Sequence, residues 1–245
     1  MGILDARRVL AVQPHYDDND IGAAGTLTLL ARSGAEVCYV TVTDDLAGVL
    51  DADLPDDAAR RQLFDEAREA GAIVGVNEFV DLDWPDAAGL DRVALRDQII
   101  DLIRRFRPDL VMTIDPALPD EAHQDHLITA AAVAEAVLLS SLPRVRPETG
   151  ADAFGVARIA YYYTVDPTEF VDTSAVQTQR HAALDCYRAQ FTDADLVGLH
   201  AAMDRYERGN ATAGTLDGRL DGATHAEVFR IVPTSALHVG LARTR

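Results

Sequence analysis

The chain alternates short apolar runs with longer stretches in which apolar residues recur every three or four positions. Segments 8–12 (RVLAV), 36–43 (EVCYVTVT) and 110–114 (LVMTI) are almost continuously apolar or β-branched, which predicts strands buried on both faces. Residues 79–82 predict a further short strand. Helical patterns cover 21–31, 56–74, 93–106 and 123–140. Asp20 is expected to N-cap the first helix, Gly75 to end the second and Pro108 to stop the third. After a Pro- and Gly-containing stretch at 142–155 the pattern changes. Strands are expected over 159–164, 169–172 and 227–232, and helices over 173–190 and 193–208.

Strands spaced by helices of this length predict an α/β fold: a Rossmann-like, mostly parallel sheet with helices on both faces, plus a C-terminal α/β elaboration. The reading is one domain over 1–245, with a Rossmann-like core about 1–141 and the elaboration about 156–245. In such sheets ligands bind beyond the carboxyl ends of the strands. The turn after the first strand and the segment 115–126 after LVMTI therefore open on the same edge.

Composition narrows the partners. An apolar fraction of 48 % over 245 residues supplies a sizeable core. A net charge of -18 repels nucleic acid phosphates and anionic lipid, so neither nucleic acid nor membrane is expected as a partner. All the basic charge is arginine. Cys38 and Cys186 each lie inside an apolar pattern and read as reduced core residues. The opening MGILDARRVLAV lacks the long apolar core of a signal peptide, and no run is long enough to span a bilayer, so a soluble cytoplasmic protein is expected.

The chemistry concentrates in two loops. PHYDDND, residues 14–20, packs His15, Asp17, Asp18 and Asp20 into one turn. Gly22 and Gly25 behind it invite a dinucleotide-loop reading, but the turn lacks glycine and its acids would face the pyrophosphate. Helix capping explains Asp20 but neither His15 nor the two acids before the cap. A divalent cation explains the set. His15 and Asp18 are three apart in a turn, and His123 and His126 are three apart at a helix start on the matching loop. One carboxylate and two histidines meet the ligand count of a catalytic zinc, which keeps one position open, and the remaining His and Asp are left for acid–base work.

The paired motifs PHYDDNDIGAAGTL and HQDH resemble those of the LmbE-like, or PIG-L-like, family of zinc-dependent N-acetylglucosamine deacetylases. RPDLVMTIDP, FVDTSAVQTQRHAALDCYRAQF and HAEVFR resemble further segments of that family. The resemblance implies one Zn2+ (other divalent ions being alternatives) held by His15, Asp18 and His126. It implies Asp17 as the general base toward zinc-bound water. His123 would be a second catalytic histidine, cationic when it stabilises the oxyanion and protonates the leaving amine, and Asp125 would orient a neighbour.

Some positions depart from the family pattern. Tyr16 and Gln124 replace prolines, Asp20 a glutamate, Asp45 a glycine, and Tyr187 and Ala189 a His and a Ser. Leu63 stands where an arginine is common, three before Glu66, so Arg60 or Arg61 is expected to anchor substrate. Trp84-Pro85-Asp86 resembles the family's P-D segment, which makes Asp86 a contact for sugar hydroxyls; a solvated loop acid is the plain alternative. His225 is placed at the pocket border, with an ordinary surface or core histidine as its alternative. The implied activity is hydrolysis of an N-acetyl or related N-acyl group on an N-acetylglucosamine-type small molecule. An amidase for another amide, such as a thiol conjugate, and a non-catalytic sugar-binding relative are the alternatives, and a homo-oligomer is left open.

Overall fold

The computed structural model, which describes residues 2–238, sets β1 (Arg8–Gln13) inside a seven-stranded sheet. Along the chain follow α1 (Asp18–Arg32), β2 (Glu36–Thr43), α2 (Asp56–Val74), β3 (Glu78–Trp84), α3 (Arg92–Phe106), β4 (Leu110–Ile114) and α4 (Gln124–Leu139). The remainder is β5 (Arg158–Tyr162), β6 (Glu169–Asp172), α5 (Gln177–Leu184), α6 (Asp193–Leu216) and β7 (Ala226–Pro233). The strand order is β3-β2-β1-β4-β5-β7-β6. The first five strands run parallel, and β7 pairs antiparallel with both β5 and β6.

Strand alternation divides the core into two layers. Val9, Ala11, Tyr39 and Met112 pack with α1, α2 and α5, whereas Leu10, Val12, Val40 and Val111 pack with α3 and α4. This is the doubly covered α/β sheet that the pattern predicts. The order reverses between β1 and β4: the chain first builds outward through β2 and β3, then returns to build the other way. A cleft forms beyond the carboxyl ends at such a switch point, and both motif loops begin there. The C-terminal strands extend the same sheet edge to edge.

Several boundaries shift for physical reasons. Helix α1 starts at Asp18 rather than residue 21, and its N-cap position is Asp17 rather than Asp20. Asp20 is wholly buried and takes hydroxyls from Tyr39 (2.8 Å) and Tyr187 (2.5 Å), so its carboxylate serves the core rather than the helix end. The helix expected over 173–190 is a short 3-10 turn followed by α5, which stops at Leu184; turn bonds at Cys186 and Tyr187 then bend the chain back toward the cleft. Helix α6 runs past residue 208 to Leu216, because Gly209 lies in open space while Ala211 and Gly214 are buried. Both cysteines are free and buried. Among the described residues, no helix is long and apolar enough to cross a membrane.

Gly22 and Gly25 have a packing role. A Cβ on Gly22 would lie 2.4 Å from the Tyr162 ring, and one on Gly25 would lie 2.7 Å from Thr173 Cγ2. The bare backbone at Gly25 also admits the buried Glu227 carboxylate of β7, which accepts the N–H groups of Gly25 (2.8 Å) and Thr26 (2.7 Å).

Candidate metal centre and active site

Gln13 shapes the turn that leaves β1. Its Nε2 donates to the Tyr16 carbonyl at 3.1 Å and its Oε1 accepts the Asn19 N–H at 2.8 Å. The Thr43 hydroxyl donates to the Pro14 carbonyl at 2.8 Å, and Asp18 Oδ2 accepts the His15 N–H at 3.0 Å. These bonds hold the turn rigid and leave His15, Asp17 and Asp18 buried but directed into a cleft of about 350 Å³. From the other loop, α4 begins with His123 as N-cap, whose Nδ1 accepts the Asp125 N–H at 3.3 Å. One helical turn brings His126 beneath it, with the rings stacked at 4.9 Å.

His15, Asp18 and His126 converge. His15 Nδ1 lies 3.3 Å from Asp18 Oδ2 and 3.3 Å from His126 Nε2, and His126 Nε2 lies 3.6 Å from Asp18 Oδ1. Zinc bonds of about 2.0–2.1 Å put tetrahedral ligand atoms about 3.3–3.4 Å apart. The two histidine nitrogens are thus spaced as two corners of such a tetrahedron, Asp18 turns one oxygen toward each of them, and one ligand atom from each of the three residues lies within 4.8 Å of the others. Their chemistry, two imidazoles and a carboxylate, fits zinc. On the opposite side of the His15 ring, Nε2 lies 3.2 Å from Asp86 Oδ1 and 4.0 Å from Asp125 Oδ2.

The electrostatics call for positive charge. Burial alone would lower the His15 pKa, but hydrogen bonds to Asp18 and Asp86 and the charges of Asp18 and Asp45 push it up to about 11. Burial pushes Asp17 well above the carboxylate range, and the charges of Asp18 and Asp45 add to this. Burial likewise carries Asp45 up to about 7, against the pull of His15 and the Tyr16 N–H. A divalent cation would displace the imidazole proton and return the acids to their charged forms. His123 is lowered, first by its partial burial and then by the neighbouring His15 and His126. Its Nδ1 accepts the Asp125 amide proton, so a proton on the neutral ring sits on Nε2.

The remaining expected contacts divide. Asp86 lines the cleft, but Oδ1 meets His15 and Oδ2 accepts the Ala47 N–H at 3.0 Å. Asp125 is buried, and its Oδ2 accepts the Ala87 N–H at 2.9 Å. Arg61 is exposed on α2 and does not line the cleft, because the helix turns it outward. Its neighbour Arg60 pairs with Asp44 at 2.6 Å and with Asp83, bracing the loop after β2. Leu63 is wholly buried in the core. His225 is buried beside Asp204, Glu207, Arg180 and Arg208 near the far end of the sheet and does not line the cleft; its Nδ1 meets the Thr224 hydroxyl at 3.0 Å.

Sequence reading missed three groups near the centre. Asp45, at φ 56°, occupies a left-handed position that glycine fills more easily, and its Oδ2 accepts the Tyr16 N–H (3.0 Å) and the Gln190 amide (2.9 Å). Gln190 reaches the cleft because α5 ends early. Glu121 binds both histidines of its loop, His123 N–H at 2.8 Å and His126 Nδ1 at 3.1 Å. An acid at a glycine position was the available signal for Asp45; nothing in the local pattern marked the other two. Tyr16 is a core residue, and burial with the nearby Asp81 holds its hydroxyl well above the usual range.

Residues 10–137 match the PIG-L family, GlcNAc-PI de-N-acetylase, and the chain belongs to that family. Over 238 residues it is 32 % identical to the diacetylchitobiose deacetylase of Thermococcus kodakarensis, covering 96 % of this chain and 86 % of that protein. A 1D-myo-inositol 2-acetamido-2-deoxy-alpha-D-glucopyranoside deacetylase of Kineococcus radiotolerans is 28 % identical over 66 % of this chain, which spans 52 % of that relative's length. The solved N,N'-diacetylchitobiose deacetylase from Pyrococcus horikoshii superposes with a TM-score of 0.82 at 30 % identity, covering 97 % of this chain and 88 % of that one.

Proposed function

We propose that this protein is a zinc-dependent hydrolase that removes an N-acetyl or related N-acyl group from an N-acetylglucosamine-type small molecule. The observation that carries the reading is the convergence of His15, Asp18 and His126, each offering a ligand atom within 4.8 Å of the others, beside the buried Asp17 at the switch point of a sheet shared with a chitobiose deacetylase. A bound zinc ion supplies Lewis acidity and acidifies water to a pKa of about 7.

The chain's own groups do the rest. Asp17, fixed at the start of α1 and facing the cleft, accepts a proton from the attacking water. His123 presents its Nε2–H to the carbonyl oxygen as charge builds there. The proton taken by Asp17 is balanced by one given to the departing nitrogen, a step the family resemblance assigns to His123, so water adds across the amide and an acid and an amine leave. Asp125 donates its backbone N–H to His123 and so fixes that ring. Asp45 and Gln190 give the cleft wall polar groups for sugar hydroxyls.

The test is acetate release from a panel of N-acetylglucosaminides, with and without a chelator. Release that stops on chelation and returns with zinc supports the reading. No release from any amide by the zinc-loaded protein overturns it.

A further inference from the structure

Behind each proposed ligand histidine stands a carboxylate, on the ring nitrogen turned away from the triad. Glu121 Oε2 lies 3.1 Å from His126 Nδ1, and Asp86 Oδ1 lies 3.2 Å from His15 Nε2. The opposite nitrogens, His126 Nε2 and His15 Nδ1, are 3.3 Å apart and both face Asp18. A carboxylate only accepts, and a neutral imidazole has a single N–H. In a metal-bound ring the proton therefore sits on His126 Nδ1 and on His15 Nε2, leaving lone pairs on the nitrogens that face Asp18.

Both carboxylates are themselves anchored. Glu121 Oε1 accepts the His123 N–H at 2.8 Å, and Asp86 Oδ2 accepts the Ala47 N–H at 3.0 Å. Neither is free to swing toward the ion or away from its histidine without losing a hydrogen bond.

We infer that Glu121 and Asp86 are positioning residues of the metal centre, which commit His126 to bind through Nε2 and His15 through Nδ1. Carboxylates in this place fix ring orientation and raise ligand basicity. The inference rests on the reading that His15, Asp18 and His126 hold the ion. It also changes the role of Asp86, whose two oxygens serve His15 and Ala47 rather than a sugar hydroxyl. A competing arrangement exists on the other side of the His15 ring, where His15, Asp86, His123 and Asp125 also offer ligand atoms within 4.8 Å of one another. There Asp86 would be a ligand and Glu121 would lie outside the centre.

The experiment is zinc affinity, measured by competition with a chromophoric chelator, for the wild type and for Glu121→Ala, Glu121→Gln, Asp86→Ala, Asp86→Asn and His126→Ala. Glu121→Ala and Asp86→Ala should each bind zinc about 10–100-fold more weakly. The amide variants should fall between, because they still accept the imidazole N–H without carrying charge. They also keep side-chain volume and carry the test if an alanine variant does not fold, which circular dichroism of the metal-free proteins reports. Wild-type affinity in both alanine variants overturns the inference, and a raised KM alone would make them substrate contacts. Zinc lost in His126→Ala but unaffected in Glu121→Ala sinks the positioning role of Glu121 while the ligand reading stands. Zinc kept in His126→Ala but lost in Asp86→Ala moves the ion to the other side of His15 and overturns both.

Discussion

The Tyr187 hydroxyl lies 2.5 Å from Asp20 Oδ2, and both residues are wholly buried. The same hydroxyl is 2.8 Å from the Tyr16 carbonyl, and Tyr39 donates to the other Asp20 oxygen at 2.8 Å. Two tyrosines thus satisfy a buried carboxyl two residues after Asp18 in α1, and one of them, Tyr187, stands where the family resemblance leads one to expect a histidine. Removing the hydroxyl in Tyr187→Phe leaves Asp20 one donor short. The expected cost is about 1–3 kcal/mol, read as a lower Tm with zinc stoichiometry unchanged. An unchanged Tm would show that the contact contributes nothing.

Asp20 also makes a pH prediction. Burial raises its pKa to about 6, with Tyr187 and Tyr39 pulling the other way. A carboxyl whose folded pKa lies above its unfolded value contributes stability below about pH 4 and loses it as pH rises through about 6. The unfolding free energy of the wild type, relative to Asp20→Asn, should therefore fall by about 2 kcal/mol between pH 4 and 7. Denaturant melts at several pH values check this; a flat difference would refute it.

Asp17→Asn keeps the shape of the turn and removes the proton acceptor. Turnover should fall by about 10²–10⁴-fold, with one zinc per chain retained by elemental analysis. Loss of zinc along with activity would make Asp17 part of the metal centre instead.

Gly22→Ala tests the packing account of the glycines. The added methyl would meet the buried Tyr162 ring, whose hydroxyl donates to Asn19 at 3.1 Å and so resists moving aside. Overpacking of this kind costs about 1–3 kcal/mol, and thermal unfolding reads it directly. Wild-type stability would mean that the ring yields freely.

Period and motif were enough for the sheet and for the convergence of His15, Asp18 and His126, because apolar alternation sets which face is buried and strand order sets which loops meet. What escaped the sequence depends on nonlocal contacts. Asp20 looks like a helix cap until Tyr39 and Tyr187 arrive from β2 and from the turn after α5. Arg60 and Arg61 are adjacent in sequence, yet helical rotation sends one to Asp44 and the other to solvent. Gln190 enters the cleft only because α5 stops at Leu184. Glu121 acquires its role from an orientation of His126 that no local pattern encodes.

The grip of Glu227 on Gly25 and Thr26 joins α1 to β7, the last strand among the described residues. Residues 10–137 carry the family match and all the proposed ligands, but neither this carboxylate nor Tyr162 and Tyr187. The N-terminal helix and these C-terminal residues therefore depend on each other for their packing. A chimaera that takes its N-terminal portion from one relative and its C-terminal portion from another would break these partnerships. Exchange among relatives should then succeed where both ends travel as one piece.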